Sequence, residues 1–290
     1  MDNYTPMKII YTINEITQII KNAKSENKTI GFVPTMGFLH SGHSSLFDKS
    51  TAKSDITIVS IFVNPIQFGA NEDYNKYPRD LERDIKIAEK HNVDYIFAPN
   101  NSEMHPACSL TNIKINKLTD VFEGKLRPGH FEGVALILVK LFNIIKPDYV
   151  FFGQKDYQQT LVVKQIVKDL NIDAKIIISP TVRTDTGLAI SSRNSYLSDE
   201  ELAQANILYQ AMEAAKDKIA KGERVRTNIN AVMRQVLNAN KNIKIDYASI
   251  AIADDLSEPD IFHSNDKAVL LLAVYLGKTR LIDNELVDFI

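Results

Sequence analysis

The sequence predicts an α/β protein, a parallel sheet wrapped by helices and followed by a smaller α+β unit. Two features of the chain carry this expectation. Up to residue 182, short β-rich apolar runs alternate with amphipathic segments of helical period. Beyond that point the texture changes to charged helical stretches and then to further strand-like runs. A chain of 290 residues with 44% hydrophobic side chains is long enough to bury a core in one large domain or two smaller ones.

The predicted parallel strands are TIGFVP (29–34), ITIVSIFV (56–63), VDYIFAP (93–99), DYVFFG (148–153) and AKIIIS (174–179). Between them SGHSSLFDKSTAKS, RDLERDIKIAEKHN and FEGVALILVKLFNIIK space their apolar residues as helices do. A βαβ succession of this kind places helices on both faces of the sheet and ligands beyond the carboxyl ends of the strands. The polar stretch FGANEDYNKYP (68–78) reads as an exposed loop. In the second unit SDEELAQANILYQAMEAAKDKIAKG and RVRTNINAVMRQVLNANK are helical, and IKIDYASIAIA and KAVLLLAVYL are strand-like. The expected division is 1–182 and 183–290, with no internal repeat and no low-complexity segment.

Charge and composition narrow the function. Lys and Arg total 34 against 36 Asp and Glu, a net charge of -2, so no overall field favours nucleic acid or an anionic membrane. The amino-terminal stretch has no basic segment leading into an apolar one, and AVLLLAVYL falls well short of a membrane span. With Cys108 alone, neither a disulfide framework nor a CxxC site is possible. A cytoplasmic protein is expected.

Four segments carry candidate chemistry. In PTMGFLHSGHSSL (34–46) a strand ends at Pro34, and a turn of small residues opens a helix near Ser41. His40 and His43, three apart, share one side of the helix amino terminus, where unpaired amides and the helix dipole favour phosphate. A zinc site is the poorest reading of this pair, since no Cys or third His is near; a surface pair or a capping arrangement is the plainer alternative. The polar segment VRTDTGLAISSRNSYLS (182–198) offers Ser191, Ser192 and the Arg193 guanidinium to pyrophosphate oxygens. In FFGQKDYQQT (151–160) Gly153 ends a strand, Lys155 suits a nucleotide phosphate, and Asp156 suits ribose hydroxyls or a helix cap. Gln159, four residues on, faces the same side as Lys155, and its amide matches the hydroxyl and carboxylate of a small acid. IFVNPIQFG (61–69) sets Asn64 and Gln67 at a strand end, where an open sheet takes its ligand.

The TMGxLHxGH run, placed after a strand and opening a helix, resembles the HIGH-type signature of the nucleotidyltransferase superfamily. Taken with VSIFVNPIQFG, YPRDLERD, GKLRPGHFEGV, FFGQKDYQQT, GLAISSRN and the terminal GKTRLIDN, it resembles the pantothenate synthetase family along nearly the whole chain. The resemblance implies a Rossmann-like first domain, a smaller carboxyl-terminal lid domain, a homodimer, and condensation of pantoate with β-alanine through pantoyl adenylate, using ATP and Mg2+. It implies a first ATP segment of Met36, Gly37, Phe38, Leu39, His40, Ser41, Gly42 and His43. The second would be Gly153, Gln154, Lys155 and Asp156, and the third Ile190, Ser191, Ser192 and Arg193, with Val182 at the adenine. Gln67 and Gln159 match the family's pantoate-binding glutamines, and Asp84 falls near its acidic position for magnesium or nucleotide. Arg127, His130 and Phe131 are expected to be structural or to lie at the subunit face. The chain departs from the family at Ile190, where Met is usual, and at Thr184, which removes a carboxylate from which a charge-based loop latch would be built.

Two rival readings are a nucleotidyltransferase acting on a phosphate acceptor and a non-catalytic nucleotide-binding protein. The first calls for a more basic acceptor pocket than Asn64, Gln67 and Gln159 supply. The second should lack one of the histidines, the lysine or the Ser-Arg loop. GKT at 277–279 has no glycine at 272 and is not a P-loop.

Overall fold

The computed structural model describes residues 6–70, 72–107 and 109–290. Cys108 and Asn71 therefore lie outside the described residues, as do the first five. The described chain forms two compact units. One comprises the described residues up to Gly153 together with Gln158–Pro180; the other comprises Gln154–Tyr157 and Thr181–Ile290.

In the first unit the strands are β1 (Lys8–Ile10), β2 (Ile30–Thr35), β3 (Ile56–Ile61), β4 (Tyr95–Phe97), β5 (Tyr149–Gly153) and β6 (Lys175–Ser179). They form one sheet in the order β1-β4-β3-β2-β5-β6, parallel throughout. Helices α1 (Ile13–Ser25), α2 (Ser41–Thr51), α3 (Leu81–Lys90), α4 (Asn101–Met104), α5 (Phe122–Leu126), α6 (His130–Ile145) and α7 (Tyr157–Asp169) make the connections. The strands read as continuous apolar runs because both faces are covered. Phe32, Ile58 and Val150 enter one core with Ile16 of α1, Leu138 of α6 and Val162 of α7. Their chain neighbours Val33, Val59 and Phe151 point the other way, onto Leu46 and Phe47 of α2 and Ala88 of α3. The strand order reverses between β2 and β5, which is where an open sheet forms its binding crevice.

The second unit contains α8 (Asp199–Gln204), α9 (Ile207–Ala220), α10 (Arg226–Asn238), β7 (Ile243–Ile252), β8 (Lys267–Leu276) and β9 (Thr279–Asp288). Its three strands run antiparallel in the order β7-β8-β9. Alternate residues Leu270, Leu272 and Val274 of β8 pack with Met212 of α9 and Met233 of α10. The stretch from 198 to 222, read as one helical segment, divides into α8 and α9 at Ala205 and Asn206. The GKT triplet lies at the β8–β9 hairpin, with Gly277 in its turn and Thr279 opening β9, so it cradles no phosphate.

Candidate functional site

The turn after β2 is built to hold an unusual backbone path. Gly37 and Phe38 both take positive φ, 80° and 50°. A Cβ at Gly37 would also stand 2.9 Å from Asp84 Oδ2 and from Ile61 Cγ2, so glycine is needed there for space as well as for conformation. Asp84, on α3, is buried and accepts the amide of Phe38 at 2.8 Å and that of Leu39 at 2.7 Å, one per carboxylate oxygen. Burial pushes its pKa up against the pull of these two donors. Asp84, singled out as a magnesium or nucleotide contact, thus braces the turn of the first segment. Leu39 is buried beneath it, and Met36 reaches Gln67.

His40 is the N-cap of α2, and Ser41 is its first helical residue. The His40 and His43 rings lie 4.0 Å apart, tilted by 37°, as their three-residue spacing at a helix start requires. The His40 backbone N–H donates to His43 Nδ1 at 3.3 Å. That nitrogen is an acceptor, so neutral His43 carries its proton on Nε2. An imidazole presenting an Nε2–H at a helix amino terminus is a donor suited to an anion.

The 3₁₀ turn Pro65–Gln67 follows β3. Asn64 and Gln67 are both buried, and the structure brings them together. Asn64 Nδ2 donates to Gln67 Oε1 and to the Gly133 carbonyl, each at 3.1 Å, and its Oδ1 meets His105 Nε2 at 2.8 Å. The Asn64 amide is thus occupied by protein partners and fixes the rotamer of Gln67. Gln67 Nε2 lies 3.1 Å from Met36 Sδ, joining this turn to the first segment.

Gln67 is held from below by residues expected to be structural or at a subunit face. Arg127 binds Glu72 through two nitrogens, at 2.7 and 2.5 Å, and its Nη1 lies 3.1 Å from His130 Nε2. Arginine has only donors, so His130 Nε2 accepts and its Nδ1–H donates to the Gln67 carbonyl at 2.8 Å. Burial, then the Arg127 charge, pulls the His130 pKa down to about 4. Burial opposes the charge of Glu72, but the Arg127 bridge outweighs it and holds the Glu72 pKa below its ordinary value. Phe131 is buried in the main core. Glu72 and His105 carried no signal in the sequence, because neither lies in a recognisable motif.

Gly153 closes β5 in the first unit, and Gln154, Lys155 and Asp156 form a 3₁₀ turn ahead of α7. Lys155 is four-fifths buried, with Nζ 3.6 Å from the half-exposed Asp156 carboxylate. Gln159 is half-buried on α7, whereas its neighbour Gln158 is buried and binds Leu118, Val121 and Glu123.

In the second unit, the loop from Val182 to Ile190 folds back on itself, with Ile190 N donating to the Val182 carbonyl and Thr184 N to that of Leu188. The Thr184 hydroxyl accepts the Leu188 amide at 3.2 Å, so a neutral latch stands where a carboxylate is absent. Ile190 is half-buried. Ser191 caps the following 3₁₀ turn, Ser192–Tyr196, accepting from Arg193 N at 3.3 Å while Asn194 Oδ1 takes its own amide at 2.6 Å. The Ser191–Ser192–Arg193 segment is therefore an ordered, capped turn. Among the described residues no group of three or more His, Cys, Asp or Glu side chains is arranged to hold a metal, and no helix is long and apolar enough to cross a membrane.

Comparison with known proteins matches residues 8–286 to the pantoate-beta-alanine ligase family. Pantothenate synthetase of Caldicellulosiruptor saccharolyticus is 52% identical over 282 residues, covering 97% of this chain and all of that one. Its counterpart from Acetivibrio thermocellus is 47% identical over 282 residues, covering 97% of this chain and all of that one. Among solved structures, pantothenate synthetase from Thermus thermophilus superposes with a TM-score of 0.90 at 38% identity, over 96% of this chain and 99% of that one. A pantoate-beta-alanine ligase from Francisella tularensis, complexed with beta-gamma ATP and beta-alanine, has a TM-score of 0.80 at 36% identity over 97% of each chain.

Proposed function

The chain belongs to the pantoate-beta-alanine ligase family, and on that premise we propose how its residues divide the work of joining pantoate to β-alanine at the expense of ATP. The enzyme is a ligase of pantothenate biosynthesis. The observation that carries the assignment of roles is the juxtaposition of the tilted His40–His43 pair at the start of α2 with the Met36–Gln67–Asn64 cluster behind it.

In the first half-reaction, the pantoate carboxylate attacks the α-phosphorus of ATP, forming pantoyl adenylate and releasing pyrophosphate. His40 and His43 donate to phosphate oxygens, and Lys155, Ser191, Ser192 and Arg193 stabilise the charge that grows on pyrophosphate. The segments Met36 to His43, Gly153 to Asp156 and Ile190 to Arg193 form the nucleotide-binding set, with Val182 at the adenine. Gln67 and Gln159 bind pantoate. Asn64 serves the same subsite by fixing Gln67, an assignment supported by its amide being spent on protein groups. In the second half-reaction the free amine of β-alanine attacks the acyl carbon, the acyl–phosphate bond breaks, AMP leaves, and the amine releases a proton. No covalent enzyme intermediate is needed.

Mg2+ fits as an ion that arrives on the nucleotide. When bound, the ion would supply neutralisation of phosphate charge. Asp84 is the acidic group nearest the first segment's turn, and its carboxylate is already engaged by two amides. The second unit acting as a lid, a homodimeric assembly and a cytoplasmic location complete the proposal; a cysteine count of one agrees with the last.

The reading is tested by measuring AMP formation with ATP, Mg2+, pantoate and β-alanine, omitting each in turn. AMP release only when all four are present is expected. Release of pyrophosphate with AMP joined to a phosphate acceptor, supplied in place of the two acids, would favour a nucleotidyltransferase instead.

A further inference from the structure

The GKTRLIDN segment has no part in the chemistry above, yet it carries a heavily engaged polar pair, Asp283 and Asn284. Asp283 and Asn284 sit on β9, one of the two edge strands of the three-stranded sheet, and both are almost fully buried. Asn284 pairs with Leu271 of β8 through the backbone, which leaves its side chain for other work. The two hydrogens of Nδ2 go to consecutive carbonyls, that of Gln154 at 3.0 Å and that of Lys155 at 2.7 Å, and Oδ1 lies 3.3 Å from Gln154 Nε2. Both hydrogens and one lone pair of the amide are thus engaged by one dipeptide. Both carbonyls belong to the 3₁₀ turn from which the Lys155 side chain departs, so the Asn284 amide sets the direction in which that side chain leaves the backbone.

Asp283 performs the matching task for the other phosphate-binding segment. Its carboxylate takes Arg183 Nη1 at 2.6 Å and Nη2 at 3.0 Å, and it accepts the Asn284 amide at 2.8 Å. Arg183 also reaches the Gly187 and Asn284 carbonyls and Glu285, and lies over the Tyr209 ring. Burial works against the Arg183 charge, but the Asp283 and Glu285 carboxylates outweigh it and hold its pKa above the ordinary value. Arg183 directly follows Val182, whose carbonyl closes the loop at Ile190, the residue before Ser191.

The geometry points to Asn284 as a positioning residue that fixes the Lys155 turn to β9, while its neighbour Asp283 ties the 182–193 loop to the same strand through Arg183, so that the lysine and the Ser-Ser-Arg segment are presented as a single preformed phosphate-binding body. This rests on the assignment of Lys155 and Ser191–Arg193 to the phosphates of ATP. A ligand group held in place by a buried, hydrogen-bonded partner loses less freedom on binding, and catalysis by electrostatic stabilisation depends on such preorganisation.

The test is a double-mutant cycle of Asn284→Ala and Lys155→Ala on the full-length enzyme, read by pantoate-dependent pyrophosphate exchange. A circular dichroism melt on each protein selects the variants that fold. Asn284→Ala is expected to lower kcat/KM for ATP by roughly tenfold to a hundredfold and to leave the KM for β-alanine in the full reaction unchanged. In the Lys155→Ala background the same substitution should cost less than about twofold, because the residue through which it acts is gone. Asn284→Ser, which keeps one donor, should recover part of the loss, and it replaces the alanine variant in the cycle if that protein does not fold. Equal losses in both backgrounds, or an Asn284 variant with wild-type exchange, would overturn the inference while leaving the phosphate role of Lys155 standing. Undiminished exchange in Lys155→Ala alone would overturn that role and the inference with it.

Discussion

Residues 40 and 43 illustrate how three positions of separation become a shared geometry. The spacing alone puts both imidazoles at one helix start, and the fold then turns His43 so that its Nδ1 accepts a backbone amide and its Nε2 carries the proton. His43→Ala is therefore expected to reduce kcat for pyrophosphate exchange by about a hundredfold to a thousandfold, the usual cost of one donor to developing charge, with little change in melting temperature. A steady-state exchange assay with a parallel thermal melt checks both. The histidines, the lysine and the serines could be singled out as candidates because each sits in a short local motif. His130 was legible only as a structural residue, since its partner Gln67 lies 63 positions away. Its burial has a consequence for stability. The unfolded chain binds a proton at this histidine below about 6.5, whereas the folded protein refuses it until about 4. The unfolded state holds more protons between those values, so stability falls as pH drops through that window, by at most about 3 kcal/mol from this group. Urea melts across pH 4 to 7 should show this loss, and His130→Asn should flatten it.

At the scale of elements, the clearest strands in the sequence were those buried on both faces, where every residue of Phe32–Val33, Ile58–Val59 and Val150–Phe151 is apolar. β9 escaped notice for the opposite reason. Its buried positions include Thr279, Asp283 and Asn284, polar residues whose partners are distant in sequence and which hide the period of two. β1 is a three-residue edge strand, too short for any period to register. The contact between α6 and the Pro65–Gln67 turn depends on a missing side chain. A Cβ at Gly133 would lie 2.6 Å from Gln67 N and 2.7 Å from Gln67 Cα. Gly133→Ala should force the turn away from α6, raising the KM for pantoate more than that for ATP and costing about 1–3 kcal/mol of stability. Separate titrations of the two substrates measure the first, and chemical denaturation measures the second.

The whole molecule is two units, the first with a core on each face of its parallel sheet and the second with a core of its own. What no reading along the chain foresaw is that Gln154–Tyr157, four residues within the parallel-sheet half, cluster with the carboxyl-terminal unit, because the side-chain amide that secures them arrives from β9. The proposed homodimer is expected to sediment at about twice the 32.7 kDa chain mass at micromolar concentration, and a monomer in analytical ultracentrifugation would refute it. In the proposed reaction order ATP reacts first with pantoate, before the amine takes part. Incubation with labelled pyrophosphate, ATP, Mg2+ and pantoate, with β-alanine omitted, examines this step by itself. Label should enter ATP at a rate that depends on pantoate; label that enters only after β-alanine is added, from an enzyme that still forms AMP in the complete mixture, would contradict an adenylate formed ahead of the amine.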